Sequence, residues 1–151
     1  MSDLELHEFP KVVATLASNK DRNTFLSKYL GASINRGTQL IYEWMGKLSK
    51  DYDGSEWDFY HLSNGSFYIA PNYLKSYNIK SYSTNFNGVL SADAAGILAT
   101  LFALKQLLME NLDTKTINLY HDLKDFVYDH PEIDLILKAI DGVGVDQIIN
   151  N

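Results

Sequence analysis

The run from Leu90 to Leu104 (LSADAAGILATLFAL) constrains this chain more than any other feature, because no charge falls between Asp93 and Lys105. Ser91 offers a hydroxyl that can accept from a free N–H of a first helical turn. Asp93 then sets a negative charge near the positive end of the helix dipole. From Ala92 to Asn111 only Gly96 interrupts helical character, so the sequence predicts a helix of roughly 30 Å, the width of a small domain. Its apolar residues Ile97, Leu98, Leu101, Phe102, Leu104, Leu107 and Leu108 go nearly all the way round. Thr100, Ala103, Gln106 and Glu110 are left as a thin water-facing stripe. A helix apolar on most sides is one that a fold buries, and Gly96 with its alanines lets a second element come close. A membrane span is the rival reading. It is rejected because spanning takes about 20 predominantly apolar residues, and Lys105, Gln106 and Glu110 interrupt the run.

A chain of 151 residues can bury a real core and is expected to form a single domain, residues 1–151. Asp3, Glu5 and Glu8 make the N-terminus acidic where a secretory signal needs a basic one. There is no cysteine, which removes disulfides, thiolate metal sites and cysteine nucleophiles together and fits a reducing cytoplasm. The net charge is −6, unevenly spread: residues 1–75 carry 8 basic and 9 acidic groups, residues 76–151 carry 5 and 10. Such a surface repels phosphate, so stable DNA binding is not expected. Mimicry of DNA, which carries one charge per roughly 1.7 Å of axis, would need a far denser carboxylate array. A plain solubilising charge explains the balance equally well.

Val12 to Leu16 is a short β-branched run that reads as a strand. Ser18 or Asn19 caps a helix to Leu30, with Gly31 at its C-terminal end. A second helix is predicted from near Thr38, where Leu40, Ile41, Trp44, Met45, Leu48 and Tyr52 recur at helical spacing. Trp57–Leu62 and Ser66–Ala70 are aromatic-rich runs joined by Ser63-Asn64-Gly65, a hairpin signal that calls for positive φ at Asn64 and Gly65. Ile79 to Thr84 reads as a third strand, with a turn at Asn87-Gly88 before the central helix. After that helix, Asp113 or Thr114 opens another through Tyr128, with Ile117, Tyr120, Leu123 and Val127 buried. A last helix runs from about Pro131 to Ile140 and stops at Gly142, and the tail with Val145, Ile148 and Ile149 is expected to dock. The fold class is therefore α+β: a small antiparallel β-meander packed with several helices around a buried central helix at about residues 92–111.

Three constellations carry possible chemistry. His121 and Asp125 stand one helical turn apart, with Asp122, Asp129 and His130 nearby, a spacing that can hold a divalent ion for a metal-assisted hydrolase. A solvated acidic helix face explains the same residues. Ser91 and Asp93 with either His61 or His121 supply a nucleophile, an acid and a base, but no Gly-x-Ser-x-Gly elbow surrounds the serine, and capping already accounts for Ser91 and Asp93. Trp57, Phe59, Tyr60, Phe67 and Tyr68 can stack bases in a nucleic-acid-binding module, against which stand the neighbouring Asp53, Glu56 and Asp58. Half of these rings are expected in the core, and the rest, with Tyr42 and Tyr77, form a patch suited to a protein partner.

Trp57–Pro71 (WDFYHLSNGSFYIAP), Leu90–Ile97 with Thr100–Leu104, and His130-Pro131-Glu132 with Ala139-Ile140-Asp141 resemble the ArdB/KlcA antirestriction family, as do Tyr42–Met45 and Asp51-Tyr52. The resemblance runs collinearly from about Leu40 to Asp141 and is loose over the first forty residues. Ser66 departs from it, standing where the family usually has a second glycine. The resemblance implies a protein of plasmids and other mobile elements that lets incoming DNA escape the host's type I restriction-modification enzymes, with no known chemistry and no cofactor. The reading taken from it is a cytoplasmic, non-enzymatic inhibitor, monomeric by default, that contacts the host type I machinery directly or through a host factor. Tyr60, Asn64, Asp122, Asp125 and Asp141 are expected at the contact surface, with no catalytic and no metal-binding residue assigned.

Overall fold

Two serines end extended segments with a hydroxyl that caps the helix following each. Ser18 Oγ accepts from Asp21 N–H at the start of α1 (Asn19–Leu30), and Ser91 Oγ accepts from Ala94 N–H at the start of α3 (Ala92–Glu110). The computed structural model describes residues 10–144, so the expected docking of the C-terminal tail lies outside the described residues. In chain order the elements are β1 (Ala14–Leu16), α1, a 3₁₀ turn (Gly31–Ser33), α2 (Ile34–Leu48), β2 (Trp57–Leu62), β3 (Phe67–Pro71), β4 (Ser76–Ser81), β5 (Phe86–Ser91), α3, α4 (Thr114–Val127) and α5 (Ile133–Asp141).

The fold is α+β, with α3 at its centre. From Ala94 to Leu104 every residue of α3 is buried. It packs against α2, β3, α4 and α5, and against both β4 and β5. By length and composition this helix could cross a membrane, but here it is the core. The expected water-facing stripe is corrected at two positions, since Thr100 and Ala103 are both buried. Thr100 tolerates burial because its hydroxyl donates to the Gly96 carbonyl one turn back, at 2.8 Å. Gly96 itself faces β3. A Cβ there would lie 2.5 Å from Ala70 Cβ and closer still to Ala70 Cα and the Ile69 carbonyl oxygen.

The antiparallel strands are shared between two sheets instead of forming one continuous meander. β1, β2 and β3 make one sheet, with Leu16 opposite Tyr60 and Tyr60 opposite Tyr68. β4 and β5 make a separate two-stranded sheet, with Ile79 opposite Gly88. The second hairpin turns at Tyr82–Asn85, where Asn85 takes a φ of 57°, and not at Asn87-Gly88, which lie inside β5. Gly88 belongs there because the Phe86 ring occupies the space a side chain would fill. In the first hairpin only Gly65 has positive φ, 99°. Gly65 N–H donates to Leu62 O and Leu62 N–H to Ser66 O, so Asn64 keeps an ordinary backbone.

The second helix starts at Ile34, four residues before the expected Thr38, because the 3₁₀ turn runs straight into it. Gly37 does not break it; it lets Leu30 and Leu107 approach closely. Pro131 lies in the turn before α5, whose N-cap is Glu132, and Gly142 closes that helix in the left-handed conformation at φ 83°. The buried seam of α4 is Thr116, Leu119, Leu123, Phe126 and Val127, which leaves Ile117 and Tyr120 half-buried.

Candidate functional site

Three stretches far apart in sequence meet around the carboxylate of Asp93, in the first turn of α3. Tyr68, on β3, donates its hydroxyl to Oδ1 at 2.6 Å. His130, in the turn before α5, places Nε2 2.7 Å from Oδ2. The Glu132 backbone N–H donates to His130 Nδ1 at 3.0 Å. Nδ1 is therefore the accepting nitrogen, and the Nε2–H donates to Asp93. Glu132 closes the ring: its carboxylate accepts from the Ser91 backbone N–H at 2.9 Å and from the Ser91 hydroxyl at 2.5 Å. Tyr60 lies over Tyr68, ring to ring at 4.8 Å and 11°, and Phe126 stacks on Tyr68 at 5.7 Å.

Tyr68 and His130 are buried, Ser91 and Glu132 are half-buried, and the Asp93 side chain is 39% exposed. Burial first, then the hydrogen bond to Asp93, pushes the Tyr68 hydroxyl far above the usual tyrosine range, so it stays a donor. Burial also raises Tyr60, with Asp58 and Asp93 adding to the effect. The helix dipole favours the Asp93 charge at this position. Chemically the cluster is a clamp: it ties the start of the central helix to β3 and to the α4–α5 turn.

It is not a nucleophilic triad. The Ser91 hydroxyl is committed to Glu132 and Ala94, and neither His130 nitrogen reaches it. The grouping of Ser91 and Asp93 with His61 or His121 is corrected. His61 lies on the other side of the sheet, with Nδ1 2.5 Å from the Tyr29 hydroxyl, and His121 is exposed on α4. The sequence reading missed His130, Glu132 and Tyr68 as members of one site. All three sit in the motifs that carry the family resemblance, but nothing in linear spacing says that the motifs touch.

Of the residues expected at a contact surface, two touch. Asn64 Nδ2 donates to the Asp122 carbonyl at 2.8 Å, fixing the hairpin turn to α4. Asp125 is exposed one turn further on, and Tyr60 is half-buried beside the clamp. Asp141 is set apart, paired with Lys124 at 2.8 Å. Burial raises the Asp122 carboxyl above its ordinary value, and Asp125 adds to this while His121 opposes it. Burial is the largest influence on Lys124 and opposes its charge, yet the Asp141 hydrogen bond together with the nearby charges of Asp141, Tyr120 and Tyr128 raises it overall.

The metal and base-stacking alternatives gain no support. Among the described residues no group of three histidines or carboxylates is placed to hold a metal ion beside His121 and Asp125. Trp57, Phe59, Phe67 and Tyr68 are buried, as is Tyr77, so the aromatic patch shrinks to Tyr42 and the half-buried Tyr60.

The model of a family described as antirestriction protein matches residues 50–141. The chain is similar to the antirestriction protein KlcA of Escherichia coli, 43% identical over 148 residues, which covers 93% of this chain and all of that protein. It is 26% identical to the putative antirestriction protein YubI of E. coli K12, covering 89% of this chain and 99% of that one. A solved structure with 43% identity superposes with a TM-score of 0.80, covering 88% of this chain and 99% of the other. It is described among the KlcA and ArdB proteins, which have a novel fold and antirestriction activity against type I DNA restriction systems in vivo but not in vitro.

Proposed function

This chain belongs to the antirestriction protein family, and we infer from that premise that it relieves type I restriction of incoming DNA in the bacterial cytoplasm by non-enzymatic protein contact. The observation that carries this reading is the 43% identity and 0.80 TM-score to a structure whose group acts in vivo but not in vitro. An inhibitor that merely occupied the DNA path of the enzyme would also work on purified components. Activity confined to the cell therefore favours contact through a host factor. The net charge of −6 is too sparse for DNA mimicry. The side chains of the Asp93 clamp are committed to one another, which favours a scaffold over a catalyst.

The contact surface proposed is Tyr60, Asn64, Asp122 and Asp125, with Asp141 as an outlying member. The test is plating of unmodified phage on a host with an active type I system, with and without this protein. Relief is expected for the wild type. Relief is expected to fall for an Asp122→Lys, Asp125→Lys, Asp141→Lys variant that melts cooperatively. No relief by folded wild-type protein refutes the functional reading, and full relief by the variant removes the acidic surface from it.

A further inference from the structure

On a protein of net charge −6, one groove is bordered by lysines that lack a carboxylate partner. Three adjoining clefts of about 540, 320 and 230 Å³ share their walls: Trp44 and Ser83 join the first to the second, and Lys47, Leu48, Lys80 and Tyr82 join the second to the third. The floor is apolar. Trp44 stacks on Phe102 at 4.6 Å and 12°, its indole N–H donating to Gln106, and Met109 and Tyr82 stand 81% and 78% exposed at the rim. Lys47, Lys50, Lys80 and Lys105 surround it, all exposed, and none has an ion-pair partner among the described residues. The two acids bordering the groove are already engaged: Glu110 by Arg36, and Asp51 by the backbone and side-chain N–H groups of Asn78.

We propose that this groove, built by α2, the C-terminal half of α3 and the β4–β5 turn, docks an acidic amphipathic segment of a protein partner. The proposal rests on the protein-contact reading above and adds a second surface, sharing no residue with the one on α4. Charge complementarity selects the occupant: four unpaired lysines around an apolar floor fit a segment in which carboxylates alternate with aliphatic or aromatic side chains. The rings disfavour a nucleic acid. Trp44 is half-buried, with Phe102 on one face and Lys47 4.9 Å from its ring centroid, and Lys80 lies over one face of Tyr82 at the same distance, which leaves Tyr82 as the one well-exposed ring of the groove and no run of rings on which successive bases could stack.

The test uses the two tryptophans as probe and control. Trp44 lies in the groove, whereas the Trp57 indole donates to Tyr52 away from it. A synthetic peptide of alternating glutamate and leucine or phenylalanine is titrated into isotopically labelled protein, with oligothymidylate as the second probe. Expected is a saturable shift of the Trp44 indole resonance with Trp57 unmoved, weakening severalfold at high salt as screening grows. A Lys47→Glu, Lys80→Glu, Lys105→Glu variant with unchanged melting is expected to lose at least tenfold in peptide affinity and to relieve restriction less in the plating assay. A Trp44 resonance that ignores the peptide overturns the proposal, as does one that answers only to oligothymidylate, or a variant with undiminished relief. Failure of the wild type itself to relieve restriction refutes the functional reading, while the peptide titration still decides the groove.

Discussion

Replacing Gly96 by alanine adds a single methyl group where α3 lies directly against the backbone of β3. That Cβ would sit 2.5 Å from Ala70 Cβ and nearer still to the main chain of β3. Ordinary carbon contacts lie at about 3.5–4.0 Å, so β3 and α3 must separate by roughly 1 Å. The atoms in the way are backbone and a methyl group, and neither can rotate aside. Overpacking of this kind costs about 1–3 kcal/mol, and the upper end applies to a rigid neighbour. Alanine returns about 1 kcal/mol of helix propensity, so the net loss is about 2 kcal/mol. For a protein of this size that lowers the melting temperature by about 4–8 °C. Gly46 is the matched control, because it is an exposed helical glycine and nothing lies within 4 Å of where an added Cβ would stand. Gly46→Ala is expected to raise melting by about 2–4 °C through propensity alone. Thermal melts of the two variants, followed by circular dichroism, check the pair. Equal melting of Gly96→Ala and Gly46→Ala would refute the close approach of α3 to β3.

Ser66 donates its buried hydroxyl to the Leu119 carbonyl at 2.7 Å, so Ser66→Gly is expected to lose about 1–2 kcal/mol in denaturant unfolding. His130→Ala removes a buried ring and the Asp93 hydrogen bond together, an expected loss of about 2–4 kcal/mol, while Tyr68→Phe, which deletes only the hydroxyl, is expected to lose about 1–2 kcal/mol. Glu110 is held at about 2 by its hydrogen bonds to Arg36 and Gln106. Its folded value lies below its ordinary one, so its contribution to stability is present above about pH 4.5 and fades as pH falls toward 2. Carboxylate NMR titration is expected to show Glu110 moving back up in Arg36→Ala. Asp122 is shifted the other way by burial and Asp125, so its charge opposes folding at neutral pH. Asp122→Asn is expected to raise the melting temperature at pH 7 and to lose that advantage once the pH falls below the Asp122 value.

Local chemistry determined the parts that the sequence made legible. Ser18 and Ser91 cap helices because a hydroxyl and the amides it serves are within three residues of one another. Gly142 and Gly65 turn the chain because each needs only its own φ. The central helix could be read from its unbroken apolar run, and its burial followed from that. Tertiary structure decided whatever depended on partners distant in the chain. The polarity of Thr100 suggested exposure, but a carbonyl one turn back satisfies its hydroxyl and α3 is covered on that side too. Asn87-Gly88 carries a turn signal, yet the register of β4 against β5 and the ring of Phe86 hold it inside a strand. The division into two sheets likewise depends on which edges meet, which no single strand encodes. The Asp93 clamp is the clearest case. Ser91, Asp93, His130 and Glu132 each had a plain local reading, and their shared role exists only because residues 37 and 41 positions apart are folded into hydrogen-bond distance.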